Sequence, residues 1–285
     1  MKKYFSLVLF AHSIFAMPFA LIGFFLGVTN SDQPFNWYLL LAVVLCMVFA
    51  RNAAMAFNRY LDRDIDAKNP RTATRDIPAG KISAKGALVF VIANCVLFIA
   101  TTAFINTLCF YLSPVALFVV LFYSYTKRFT ALCHLVLGLG LALAPIGAYI
   151  AVTGQLAIVP VLYSFAVLFW VSGFDIIYAL QDEDFDRDEQ LHSIPSALGI
   201  KNALLLSSFL HVLSAACVIA PLLFMDFGWP YYIGVVFFCG MLIYQHLLVK
   251  PNDISKVNRA FATTNGYASV IFAVCFLLDT YLKTK

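Results

Sequence analysis

Long apolar runs separated by short polar connections set the rhythm of this chain. Mainly apolar runs recur near 5–28, 37–60, 86–105, 107–126, 131–152, 157–180, 202–224, 229–248 and 260–281. About 20 apolar residues in helical form cross the hydrocarbon core of a bilayer. The pattern therefore predicts an all-α integral membrane protein of nine transmembrane helices. Only Asn106 and its neighbours divide the third run from the fourth. The first run follows Lys2 and Lys3, as in a signal peptide, but no small-residue cleavage site precedes a polar chain. It reads as a retained first helix, and 1–285 reads as one transmembrane domain.

Composition agrees with this pattern. Of 285 residues, 62% are hydrophobic and 12% charged, and the mean hydropathy is +0.87. A soluble domain carries about 25% charged residues, so this surface needs lipid as its solvent. The seven cysteines lie scattered in apolar stretches without a metal-ligand spacing. They read as small core side chains, with neither disulfides nor zinc. No basic run is interleaved with aromatics on a polar surface, which argues against a nucleic-acid partner.

The placement of charge says more than the net value of +4. Nine spans put the two chain ends on opposite sides. The N-terminal side then holds 17 of the 19 basic residues, all but Lys283 and Lys285. Such a bias predicts a cytoplasmic N-terminus. The same side carries every acid except Asp32, Asp226 and Asp279. One face is crowded with both signs and the other is nearly bare, which suits a multiply charged ligand better than plain solvated loops.

Two acidic clusters stand out on the crowded side. After 14 apolar residues from Trp37 to Ala50, the second span turns polar. Arg51, Asn58, Asp62 and Asp66 then follow at spacings of 7, 4 and 4, which place them on one helical face. At the end of the sixth span, Asp175, Tyr178, Asp182 and Asp186 follow at spacings of 3, 4 and 4. A row of ionisable groups on a membrane helix faces a protein interior or water. Converging carboxylates repel unless cations join them. Hard oxygen ligands select Mg²⁺, which bridges carboxylates to phosphate oxygens. Basic partners lie close by in sequence: Arg71 and Arg75 after the first cluster, Lys127 and Arg128 after the fourth span. A single pair of carboxylates four apart is as often a structural ion pair. Two such rows on one membrane side point to a diphosphate site.

These motifs resemble those of the UbiA superfamily of intramembrane aromatic prenyltransferases. Asn58, Asp62 and Asp66 match its NxxxDxxxD signature, and Asp175, Tyr178, Ala179, Asp182 and Asp186 its DxxYAxxDxxxD signature. NPRTATRDIPAG is similar to the loop after the first signature, and Tyr123, Lys127 and Arg128 match its YxxxKR segment. Arg59 departs from the pattern, since many members carry Asp there. The opening AHSIFAMPFAL resembles a bacterial subgroup assigned either to 4-hydroxybenzoate or to the futalosine route to menaquinone.

The resemblance implies helices around a central cavity, a polar mouth on the cytoplasmic side and a lateral opening to lipid. It implies Mg²⁺-dependent transfer of a polyprenyl group from its diphosphate to an aromatic acceptor, 4-hydroxybenzoate first, in quinone synthesis. A futalosine-pathway or naphthoate acceptor is the alternative. On this reading Asn58, Asp62, Asp66, Asp182 and Asp186 are the metal set. Asp62, Asp182, Asp186 and Lys127 are the catalytic set. Arg51, Arg71, Arg75, Tyr123, Arg128, Asp175 and Tyr178 contact substrate. Two roles are open to Arg51, pairing the carboxylate of the acceptor or pairing Asp175. A divalent-cation or phosphate transporter is the rival from another class. Transporters place such sites near the bilayer midplane, whereas both clusters here end helices.

Overall fold

The computed structural model describes residues 15–31 and 34–283. Its helices are α1 (Met17–Thr29), α2 (Trp37–Leu61), α3 (Arg63–Lys68), α4 (Ala84–Ala103), α5 (Thr107–Thr126) and α6 (Cys133–Thr153). They continue with α7 (Ile158–Ala179), α8 (Glu183–Asp188), α9 (Ile194–Ile219), α10 (Trp229–Leu248) and α11 (Asn265–Lys283). Among the described residues, eight helical spans are long and apolar enough to cross a membrane. They coincide with the second to ninth predicted runs. Of the first run, α1 supplies a shorter apolar helix, and positions 5–14 lie outside the described residues. Of the nine expected spans, the described residues give eight full spans plus α1.

Polar residues set the boundaries. The Asn36 side chain accepts from the amides of Tyr38 and Leu39 and starts α2, while Ser83 caps α4 through Gly86. Asn106 does two jobs. Its oxygen caps α5 through the Cys109 amide at 2.8 Å, and its Nδ2 donates to the carbonyls of Ile150 and Ala151 at the end of α6. The short division between the third and fourth runs is thus a capped turn fastened to a neighbouring helix.

Burial is uneven, and the unevenness creates the site. α7 packs along α6 on one side and α9 on the other, and 56% of its apolar window is buried. Trp170, Tyr163, Phe19, Phe238 and Phe272, all fully buried, join α7 to α1, α10 and α11. In α2 and α5 only 17% of the corresponding window is buried, because one face of each looks onto a cavity and another onto lipid. Val89, Phe118, Leu205 and Val236 are more than 60% exposed on the outer surface. That surface is stable only in a bilayer, and the protein is an integral membrane protein.

Two short-range expectations need correction. The first acidic row does not run along one helix. α2 stops at Leu61, Asp62 leaves helical geometry (φ −88°, ψ 4°), and α3 restarts at Arg63. The second row is likewise divided among α7, a 3₁₀ turn at Leu180–Asp182 and α8. Carboxylates are unfavourable at the negative C-terminal end of a long helix and favourable in a first turn. The breaks put Asp64 and Asp66, and Glu183, Asp184 and Asp186, into first turns.

Candidate functional site

Three connections on one side of the bundle converge: 62–83, 127–132 and 180–193. Asp62, buried at 2% exposure, is the hub of the first contact. Its carboxylate receives Asn58 Nδ2 at 3.0 Å, Lys127 Nζ at 3.1 Å and Arg128 Nη2 at 2.9 Å. Arg128 also donates to the carbonyls of Leu61 and Ser124, so it clamps the end of α2 to the end of α5. Asp66 pairs with Arg75 Nη1 at 2.7 Å, and its second oxygen is buried without a hydrogen-bond partner.

Asp182 joins the two motifs. It accepts from Asn69 Nδ2 at 3.1 Å and from Arg71 Nε at 2.9 Å, and Arg71 Nη2 forms a second, short contact. Arg71 also donates to the Tyr178 hydroxyl at 2.9 Å. Burial alone would lower the Arg71 pKa, but the hydrogen bonds and charge supplied by Asp182 and Tyr178 outweigh it, and the pKa is raised. This guanidinium stays charged at any working pH. Asp186 lies within electrostatic reach of Lys127 and Asp182. At the rim, Lys68 meets Glu189 at 2.5 Å, and the His192 amide donates to the Lys127 carbonyl at 2.7 Å. The carboxylates of the second and sixth spans therefore do share one mouth.

Asp62, Asp66 and Asp182 are each held through a basic partner, while Asp186 has Lys127 and Asp182 within electrostatic reach. Among the described residues, no three His, Cys, Asp or Glu side chains converge closely enough to hold a metal ion by themselves. The oxygen-only donor set and the unpartnered Asp66 oxygen nonetheless fit a hard cation whose remaining ligands come from water and phosphate.

Below the mouth lies an apolar cavity of about 410 Å³. Its polar lining includes Arg51, Tyr123 and Asp175, and its apolar lining includes Met47, Phe98, Leu112 and Ile146. Asp175 precedes Asp182 by two helical turns, so the cavity's polar end sits roughly 10 Å below the charged mouth. The Arg51 Nε is buried without a partner, and Asp175 takes His134 as its partner at 2.7 Å. Of the two roles open to Arg51, pairing Asp175 is thus the one the geometry does not use. Tyr178 stacks on Phe261, with ring centroids 4.2 Å apart, and Phe261 also lines the cavity.

Sequence motifs pointed to neither His134 nor Asn69. Asn69 lies within the recognised loop, where its asparagine before proline was a usable signal. His134 offered none, being a lone histidine in an apolar run, partnered only through tertiary packing.

Comparison with known proteins agrees with this architecture. A 4-hydroxybenzoate octaprenyltransferase of Tolumonas auensis is 31% identical over 245 residues, covering 84% of this chain and 83% of that protein. One of Photobacterium profundum is 32% identical over 241 residues, covering 83% and 82%. Among solved structures, a UbiA homologue from Aeropyrum pernix superposes with a TM-score of 0.81 at 30% identity, covering 96% of this chain and 98% of that one. A homologue from Archaeoglobus fulgidus, bound to GPP and Mg²⁺, shares the fold with a TM-score of 0.74 at 21% identity, over 98% and 99% of the two chains. The family model for UbiA prenyltransferases matches residues 16–272, and with the motifs, the charged mouth and the cavity in place, the chain belongs to the UbiA prenyltransferase family.

Proposed function

We propose that the whole chain, 1–285, acts as one transferase domain that moves a polyprenyl group from its diphosphate to an aromatic acceptor, with 4-hydroxybenzoate as acceptor and Mg²⁺ as metal. The observation that carries this reading is the stacking of a charged mouth on an apolar cavity, with Arg51, whose buried Nε has no hydrogen-bond partner, at the cavity's polar end. A prenyl diphosphate has the matching shape, an anionic head on an apolar tail. Its fold relative from Archaeoglobus fulgidus binds GPP and Mg²⁺, and the relatives named above are 4-hydroxybenzoate octaprenyltransferases.

Asn58, Asp62, Asp66, Asp182 and Asp186 are the residues that would hold Mg²⁺, which when bound supplies charge to stabilise the departing diphosphate. The mouth sets four acids (Asp62, Asp66, Asp182 and Asp186) against four cations (Arg71, Arg75, Lys127 and Arg128), so its charges balance. A multiply charged anion entering so balanced a site needs added cations. Arg71, Arg75, Lys127 and Arg128 bind the diphosphate oxygens, and their fixed positions stabilise the negative charge that develops as the carbon–oxygen bond breaks. The bonding electrons leave with the diphosphate. The acceptor's ring carbon beside its hydroxyl forms the new carbon–carbon bond, and the ring proton is lost. Arg51 pairs with the acceptor carboxylate, Tyr123 and Asp175 line its position, and Tyr178 steadies Arg71. The mouth opens to the cytoplasm.

Asp62→Asn and Asp182→Asn should each lower transfer at least about 100-fold while leaving membrane insertion intact. Transfer from a labelled prenyl diphosphate is the measurement, and normal turnover by both variants refutes the assignment. A chelator should abolish transfer and Mg²⁺ restore it. A naphthoate carboxylate would meet the same Arg51, so parallel assays with 4-hydroxybenzoate and naphthoate acceptors decide between them. Ion flux in vesicles without donor would revive transport.

A further inference from the structure

The contacts of His134 specify more than packing. Its Nδ1 lies 2.7 Å from Asp175 Oδ2, and its Nε2 lies 3.3 Å from the backbone nitrogen of Ile194 at the start of α9. A backbone amide only donates, so Nε2 must accept and carries no proton. The single ring proton then sits on Nδ1 and is donated to Asp175. His134 is 3% exposed. One turn further along α6, a Cβ at Gly138 would stand 2.4 Å from Ser172 Oγ and 2.5 Å from the Leu168 carbonyl. Glycine there lets α6 and α7 approach closely enough for the pair to form. Ser172 Oγ also donates to the His134 carbonyl at 3.1 Å. The Asp175 side chain remains 23% exposed, on the wall of the cavity that Arg51 and Tyr123 also line.

We propose that His134 is a positioning residue for the acceptor: its Nδ1–H fixes Asp175 so that the remaining carboxylate oxygen accepts the hydrogen bond of the acceptor's ring hydroxyl. The inference rests on the transferase reading and adds no bond-making step to it. Its logic is that of a two-point grip. Arg51 takes an anionic group and Asp175 takes a hydroxyl, so a ring carrying both is oriented inside one cavity. A hydroxyl donating to a carboxylate also enriches the ring carbon beside it in electron density, the carbon that must attack. A neutral histidine does this without adding a charge that would compete with Arg51 for the anionic group.

Two substitutions separate this role from packing. Asparagine places its amide nitrogen near the position of Nδ1 and keeps a donor to Asp175. Glutamine reaches the Nε2 position, keeps a partner for Ile194 and loses the donor to Asp175. His134→Gln should lower kcat/KM for the aromatic acceptor about 10- to 100-fold, with the KM for the prenyl diphosphate unchanged. His134→Asn should stay within about 3-fold of the parent. Equal losses in both, no loss in either, or the reverse order overturns the proposal. A parent protein that transfers to no hydroxylated aromatic refutes the transferase reading itself. Independently of turnover, ¹⁵N-histidine spectra in detergent micelles, assigned with His134→Asn, should show His134 as the neutral Nδ1–H form. An Nε2–H or doubly protonated ring overturns the positioning role.

Discussion

Arg51 is a cation kept where no acid neutralises it. Its Nε is buried and unpartnered. Removing an uncompensated buried charge relieves a folded protein. Arg51→Met should therefore hold or raise the thermal midpoint while raising the KM for the acceptor about 10- to 100-fold. A drop in stability together with unchanged acceptor use would assign Arg51 to structure. Asp62, in contrast, has three donors in contact, so Asp62→Asn leaves cations facing one another and should cost stability as well as turnover. At this scale the sequence was informative wherever chemistry repeats at helical spacing. Asp62, Asp66, Asp182 and their basic partners could be found by counting. The pairing of Asp182 with Arg71, and of Asp175 with His134, could not, because contacts between residues 111 and 41 positions apart leave no periodic trace.

At the scale of elements, the region before α11 adopts a π-helical turn at Arg259–Thr264. A π turn frees carbonyls from the ordinary ladder, and such turns recur at functional sites. Asn265 answers for them. Its Nδ2 donates to the carbonyls of Ala260 and Phe261, and its Oδ1 accepts from Trp170 Nε1 and Gln245 Nε2, both at 2.7 Å. The same turn places Phe261 against Tyr178. Asn265→Leu strands two buried donors and should cost about 2–5 kcal/mol, read as a fall in thermal midpoint in micelles, with donor binding weakened as Phe261 shifts. The broken acidic rows belong to this scale too. Spacing alone favoured one long helix, and the preference of carboxylates for first turns broke it after Leu61 and Ala179. Spans were legible because hydropathy acts over 20 residues. Breaks were not, because they are decided by a few charges and distant partners.

Across the whole molecule, charge placement and ion pairs act together. Orientation is an expectation from the distribution of Lys and Arg. In a background lacking the seven native cysteines, a membrane-impermeant maleimide should label Asp226→Cys in intact cells and Lys201→Cys only after the membrane is permeabilised. The reverse pattern would invert the topology. The Lys68–Glu189 contact links the two motif loops, but the Lys68 side chain is 61% exposed. Exposed pairs contribute little, so Lys68→Ala should change thermal stability by less than about 1 kcal/mol, and the mouth should hold through Arg71, Arg75 and Arg128.

The contrast between the densely packed α7 and the thinly packed α2 and α5 has a consequence for motion. Amide protons exchange with deuterium through local openings, and those openings are cheapest where few apolar contacts must be given up. Deuterium should therefore enter α2 and α5 well before α7, dividing the protein into a slow half built on α7 and a fast half bordering lipid. A long isoprenoid would slip in sideways from the bilayer through that faster half, and its binding should slow exchange there more than anywhere else.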